Sequence, residues 1–531
     1  MALTQIIRQE CPTCKKIAVE QSRLKIGKTI IIKLACGHIL HSEALASQEQ
    51  DYNSIVFSDG CKPRPYQIDA VKFAEESNVR CIIADEQGLG KTIEALSLLK
   101  LHPAKLLPAV IVCPSTVKLQ WMFEIHRICC VDGAKDTKFL VQVIQSGKER
   151  AMPGFQIYIV TYDMLKKENL FEYLPEGMIK TIIIDECQRI KNHLSDRAKA
   201  CQRIAKSTEH IISMSGTPIK NNAGEYFTVL NLTKPTLFPH YQKYIDNYCD
   251  AYSNGWGQKI GGLKDVERFH EDTKDIIIRR TKADVLPDLP SIDRKFHHVE
   301  LDRRLNKAYA AALQELDDML YSDESEFEKA TNTIAIMSKL RHITGISKVA
   351  ECIDFSTEFL LSTDRKIVIF THHQDVMGML ESQLNEWCMQ GDFGKVCVLH
   401  SGLDGNARTR LVEEFKSDSS RRLMIASTLA AGEGLNLQFC SDAIILERQW
   451  NPANEEQVEG RFHRFGQLNN VSITYMLASG TIDEYFTELV EIKRAIVAAT
   501  MDKKEIQWNQ QSLMKELAEI LVTKGRKAWS L

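Results

Sequence analysis

The sequence predicts an α/β protein: two tandem parallel-sheet lobes with a helical insertion, plus a small N-terminal zinc-binding domain. Three observations carry this. Short β-branched runs recur from about residue 62 to 230 ("CIIAD", "AVIVCP", "FLVQVIQ", "FQIYIVTYD", "TIIIDE", "HIISMSGTP"), separated by helix-like or polar segments. The rhythm returns from about 366 in "KIVIFTHH", "KVCVLHSG", "RLMIAST", "DAIILER" and "VSITYML". The first 45 residues differ, with cysteines and histidines grouped around an alternating "KTIIIKL". Strands alternating with helices imply parallel sheets covered on both faces.

Composition sets the bounds. A chain of 531 residues suggests several domains, and 44% hydrophobic residues can fill real cores. The formal net charge is −3, so any nucleic-acid surface must be a local patch. The 15 cysteines lack regular spacing, and Cys81, Cys113 and Cys397 sit in apolar runs. That argues for a reducing, intracellular compartment rather than a disulfide framework. The N-terminus has no apolar core of a signal peptide, and no run of about 18 apolar residues exists, so no membrane span is expected.

The expected organisation, in order, is a zinc ribbon-like domain (1–45), a linker (46–61), a first lobe (62–230), a helical insertion and hinge (231–350), a second lobe (351–485) and a helical C-terminal segment (486–531). In the first of these, "CPTC" and "CGHILH" read as two halves of a zinc site. Cys11 and Cys14 have knuckle spacing, and Cys36 with His38 or His41 completes a tetrahedron, His38 being preferred. So small a domain needs such a staple. Its expected role is recognition of DNA or of a protein partner.

The nucleotide reading starts at "CIIADEQGLGKTIEAL". A strand, a loop with Gly88 and Gly90, and a helix follow in the order a phosphate loop requires, though Asp85 stands where its first glycine belongs. Lys91 would reach the β- and γ-phosphates of ATP and Thr92 would hold magnesium. In "TIIIDECQ", Asp185 and Glu186 close a buried strand, placed to hold magnesium and to position or deprotonate water. Far downstream, Gln457, Arg461 and Arg464 fall at i, i+4 and i+7. On a helix they would share one face, with the arginines reaching a transferred phosphate. The alternative is an ion-pair stripe with Glu455, Glu456 and Glu459.

"DEQGLGKT", "DECQ", "SGTPIKN", "RRTKADVLPDLP", "STLAAGEGLNL" and "QWNPANEEQVEGRFHRFGQ" together resemble the ordered motifs of superfamily-two helicase-like ATPases. More narrowly they resemble the Swi/Snf DNA translocases, in the branch of annealing helicases and fork remodellers. The match runs from about residue 62 to 485. It implies RecA-like lobes, ATP with Mg2+, double-stranded or forked DNA as partner, and a monomer. Aspartate at the first loop position is common in that family. The resemblance also implies ATP contacts from Gln67, Asp85, Gly88, Leu89, Gly90, Gly432, Gly434 and Gln457. It implies strand contacts from Pro114, Ser115, Lys118, Thr161, Tyr162, Thr371, Ser427 and Thr428, and coupling through Ser215, Gly216 and Thr217. Three residues depart from the family pattern: Cys187, Gln188 and Ala431. An RNA-dependent or strand-separating helicase, or a nucleotide-gated scaffold with weak hydrolysis, stands as the alternative.

Overall fold

The computed structural model describes residues 51–490 except 130–138, 217–221, 254–257, 321–325, 392, 432–434, 450–451, 485 and 488–489, together with four strands before residue 51. Those strands, β1 (Arg8–Glu10), β2 (Ile17–Ile26), β3 (Thr29–Leu34) and β4 (Ile39–Glu43), form an antiparallel sheet in the order β1-β2-β3-β4. This sheet lies in a compact unit of its own, Met1–Val56 with Gly60–Lys62. The zinc candidates Cys11, Cys14, Cys36 and His38 lie outside the described residues.

The rest of the chain is one compact unit holding both lobes. The first lobe is built on β5 (Arg80–Ile83), β6 (Ala109–Cys113), β7 (Val141–Val143), β8 (Ile157–Thr161), β9 (Thr181–Asp185) and β10 (His210–Met214). A hairpin, β11 (Cys249–Ser253) and β12 (Gln258–Leu263), follows. β13 (Ile277–Ile278) then returns to the edge of the first sheet, giving the order β13-β5-β10-β9-β6-β8-β7 with every pairing parallel. The central strands are buried throughout and mostly apolar because helices cover both faces.

The second sheet joins β14 (Ile292–Val299), β15 (Ile367–Thr371), β16 (Cys397–Leu399), β17 (Leu423–Ser427), β18 (Asp442–Ile445) and β19 (Val471–Ala478). Its order is β14-β19-β18-β15-β17-β16, again all parallel. The stretch 231–350, read from sequence as helical, therefore also supplies one edge strand to each sheet. The chain joining them, residues 279–291, is the bridge between the lobes. Among the described residues no helix is long and apolar enough to cross a membrane.

Candidate nucleotide site

The parallel sheets place the carboxyl ends of β5 and β9 side by side across β10, where such sheets bind ligands. After β5 the chain turns through Gly88 and Gly90, at φ of +95° and +90°, and enters the helix Lys91–Leu101. Both angles favour glycine, and space forbids a side chain as well. A Cβ at Gly90 would lie 2.5 Å from Gln67 Nε2, and one at Gly88 would lie 3.0 Å from Arg464 Cβ. The loop is braced from the helix Pro65–Glu76, where Tyr66 Oη and Gln67 Nε2 each donate to the Leu89 carbonyl at 2.9 Å. Gln67 Oε1 accepts the Arg64 N–H at 2.9 Å, so this amide supports the loop rather than standing open toward a base. Lys91 Nζ donates to the Asp85 carbonyl at 2.7 Å, and burial lowers its pKa against the pull of Glu186. Thr92 sits half-buried in the first turn of the helix, and Gln87 Nε2 is buried with no hydrogen-bond partner among the described residues.

Asp85 is fully buried, and its carboxylate faces Arg280 rather than the loop. That corrects its reading as a ligand contact: a carboxylate beside bound phosphates would repel them, and this one is neutralised by a guanidinium. Glu94 shares the same arginine at 3.1 Å, and burial and then Asp85 push its pKa well up.

Asp185 ends β9, with its Oδ2 accepting Trp121 Nε1 at 2.9 Å and its Oδ1 accepting the Glu186 N–H at 3.0 Å. Burial and the neighbouring Glu186 raise its pKa to about 7. Glu186 has φ of +52°, a strained conformation costing about 1–3 kcal/mol for a non-glycine residue. Gln188 Nε2 holds the Glu186 carboxylate at 2.5 Å, while Gln188 Oε1 accepts Ser215 Oγ at 2.7 Å. The departure at Gln188 thus preserves a link from the acidic pair to "SGT", because an amide donates at one end and accepts at the other. Thr217 lies outside the described residues.

The second lobe contributes from the helix Pro452–Phe462. Arg464 lies past its end, so the expected single helical face is not formed; the short turn after Phe462 instead carries Arg464 onto Gly88. A Cβ at Gly460 would lie 3.1 Å from Gln87 Cβ, so this helix meets the phosphate loop. Burial and Arg461 lower the Arg464 pKa to about 10. Two of the three glutamates of the ion-pair alternative are taken by other groups. Glu455 binds Arg448 at 2.8 Å, and Glu459 binds Arg294 at 2.6 Å and Tyr475 Oη at 2.5 Å. Gln457 is buried on the same helix, and Gly432 and Gly434 lie outside the described residues.

Residues read as strand contacts lie at the same carboxyl edges, but several face inward. Pro114 and Thr161 are buried, and Thr161 Oγ1 caps the following turn. Tyr162 is buried, with its hydroxyl donating to the Asp185 carbonyl at 2.5 Å. Thr371 and Thr428 are buried too, and Thr428 Oγ1 donates to the Thr371 carbonyl at 3.0 Å. The hydroxyls of Thr161, Tyr162 and Thr428 thus fasten loops to strand ends, and Pro114 and Thr371 are buried beside them. Ser115 is exposed, and Lys118 and Ser427 are half-buried. Sequence reasoning missed the Trp121 and Arg280 roles; for Arg280 the signal was its place in "RRTKADVLPDLP".

A glycine loop with a half-buried lysine, an acidic pair at the next strand but one, and an arginine from a second lobe define a two-lobe P-loop nucleotide hydrolase. The cradle and its free donor fit a nucleoside triphosphate with magnesium. The chain belongs to the SNF2-related family: the SNF2-related domain matches residues 66–347, and the helicase conserved C-terminal domain matches 347–466. It is 30% identical over 84% of its length to a Caenorhabditis elegans SWI/SNF-related matrix-associated actin-dependent regulator of chromatin subfamily A-like protein 1 homolog, covering 64% of that protein. It is 25% identical over 83% of its length to the mouse (Mus musculus) DNA annealing helicase and endonuclease ZRANB3, covering 41% of it. An uncharacterized ATP-dependent helicase of Mycoplasma genitalium is 26% identical over 86% of the chain, which covers 44% of it. The chain spans about half the length of the curated relatives it matches.

Proposed function

We propose that the chain is an ATP-hydrolysing motor that tracks along double-stranded DNA, serving repair, fork remodelling or displacement of bound protein. The observation that carries this is the seating of Arg464, from the second lobe, on Gly88 of the phosphate loop. A composite site of this kind makes hydrolysis depend on how the lobes sit, and so on what they grip. Lys91 and the loop N–H groups would hold the β- and γ-phosphates, Thr92 and Asp185 the magnesium, and Arg461 and Arg464 the charge that develops on transfer. Magnesium would supply charge neutralisation between the phosphates. Glu186, oriented by Gln188, would position the attacking water and take its proton. The relatives named as a chromatin regulator and an annealing helicase support DNA as the track. Grip through phosphates predicts salt-sensitive binding with little sequence preference.

The test is ATP turnover with duplex, single-stranded and forked DNA and with RNA. Duplex or forked DNA should give the largest stimulation. A maximum with RNA would favour the RNA-dependent alternative, and no stimulation by any nucleic acid would sink the motor. For the N-terminal unit we propose a zinc site of Cys11, Cys14, Cys36 and His38. Metal analysis of the purified chain should return about one zinc per molecule by the tetrahedral-site rule, and a zinc-free chain overturns it.

A further inference from the structure

Arg280 gathers more of the nucleotide site than any residue of the quoted motifs led us to expect. It lies 195 positions from Asp85 in the chain, yet its backbone N–H and its Nε donate to Asp85 Oδ1 at 3.0 and 3.2 Å. Its Nη2 binds both Asp85 Oδ2 and, at 3.1 Å, Glu94. Its Nη1 donates to the Tyr66 carbonyl, and its guanidinium lies over the Tyr66 ring. The neighbours continue the pattern. Arg279 Nη1 donates to the carbonyls of Ala84 and Gly216 at 2.9 and 3.2 Å. Lys282 donates its backbone N–H to Glu86 at 2.7 Å and places Nζ 3.2 Å from the same carboxylate.

The backbone agrees with the side chains. β13 pairs with β5, and the ladder runs on past both strands: the Ala84 N–H donates to the Ile278 carbonyl at 2.8 Å and the Glu86 N–H to the Arg280 carbonyl at 2.9 Å. The phosphate loop is therefore zipped to the bridge between the lobes. The bridge continues into β14, which pairs with β19 along its whole length in the second sheet. Residues 281–291 are the covalent path by which a displacement of the second lobe reaches Arg280.

We propose that Arg280 is a positioning residue that couples the phosphate loop to movement of the second lobe, with Asp85 and Glu94 as its anchor points. This rests on the motor reading above. Glycine at position 85 would remove the ion pair and leave only the backbone ladder, Glu86 and Glu94 to join the loop to the bridge; aspartate adds a charged tie. Nucleic acid that shifts the second lobe would then change the loop geometry through this tie as well as through Arg464.

The experiment compares Arg280→Gln with the unaltered chain, measuring ATP turnover without and with saturating duplex DNA, and nucleotide affinity by titration with a fluorescent ATP analogue. We expect nucleotide affinity to fall, since Asp85 and Glu94 are left uncompensated beside the loop, and, at saturating ATP, stimulation by duplex to fall at least about tenfold more than unstimulated turnover, the size of one lost charged hydrogen bond. Arg280→Lys, which keeps one ion pair, should recover part of the stimulation. Equal stimulation in both chains overturns the coupling while leaving the motor reading intact, as does a proportional fall of basal and stimulated rates. An unaltered chain that no nucleic acid stimulates overturns both. Should Arg280→Gln fail to fold, Arg280→Lys decides, since it keeps the charge but loses the forked contact to Asp85 and Glu94: a selective partial loss of stimulation supports the coupling, and unchanged stimulation overturns it.

Discussion

The two lobes share an architecture but bury charge differently. In the first lobe, buried ionic groups gather at the nucleotide edge: Asp85 and Glu94 around Arg280, and Lys282 against Glu86. In the second lobe most of them join helices to the sheet. Lys348 binds Asp483 at 2.5 Å with both side chains buried, and Arg448 binds Glu455 at 2.8 Å next to Tyr475. The first arrangement sets the shape of a loop that must hold a ligand. The second fixes how elements distant in sequence pack. Buried ion pairs are costly to break in either place because one partner is left uncompensated, but the property lost should differ.

The largest expected effect tests Arg464, a second-lobe charge that packs on the phosphate loop of the first lobe. Arg464→Ala should lower turnover by about 10³-fold or more while ATP titration still shows binding; normal turnover would remove the two-lobe site. Next, Lys348→Met should destabilise the fold by about 3–5 kcal/mol, since Asp483 keeps the Thr344 hydroxyl and the Ala478 N–H but loses its cation. Adding Asp483→Asn should recover much of that in denaturant melts. If the single change leaves stability untouched, the contrast between the lobes fails. Trp121→Phe removes one donor from Asp185 and should reduce turnover about tenfold with little change in the melting midpoint, which is the first-lobe signature.

The smallest effect is in acid. Burial, then Arg341 and His373, push the His372 pKa down from 6.5 to about 4. The folded ring stays neutral where the unfolded ring takes a proton. Stability from this group is complete above pH 6.5 and falls as pH drops toward 4. The loss should be on the order of 1–2 kcal/mol after allowing for partial solvation, and His372→Gln should flatten that part of the stability profile.

Much of the site was readable in advance. The loop, the acidic pair and the arginines each carry residue types that a bland core or turn does not need, at spacings local enough to see. Local spacing misjudged the helix end at Phe462, because the turn that follows it brings Arg464 to Gly88 by tertiary contact. It also misjudged Tyr162 and Thr428, since a hydroxyl at a strand end reads the same whether it meets a ligand or a backbone carbonyl.

By itself the sequence determined the strand–loop–helix units, the two parallel sheets and the chemistry at their carboxyl edges. Those follow from alternation, burial pattern and glycine, all set within a few residues. The tertiary structure decided what Asp85 is for. Its partner Arg280 lies on the far side of the first lobe in sequence, and only the return of β13 to the sheet edge brings the two together. The same holds for Trp121 on Asp185 and Lys348 on Asp483: a charge chooses its partner by distance in space.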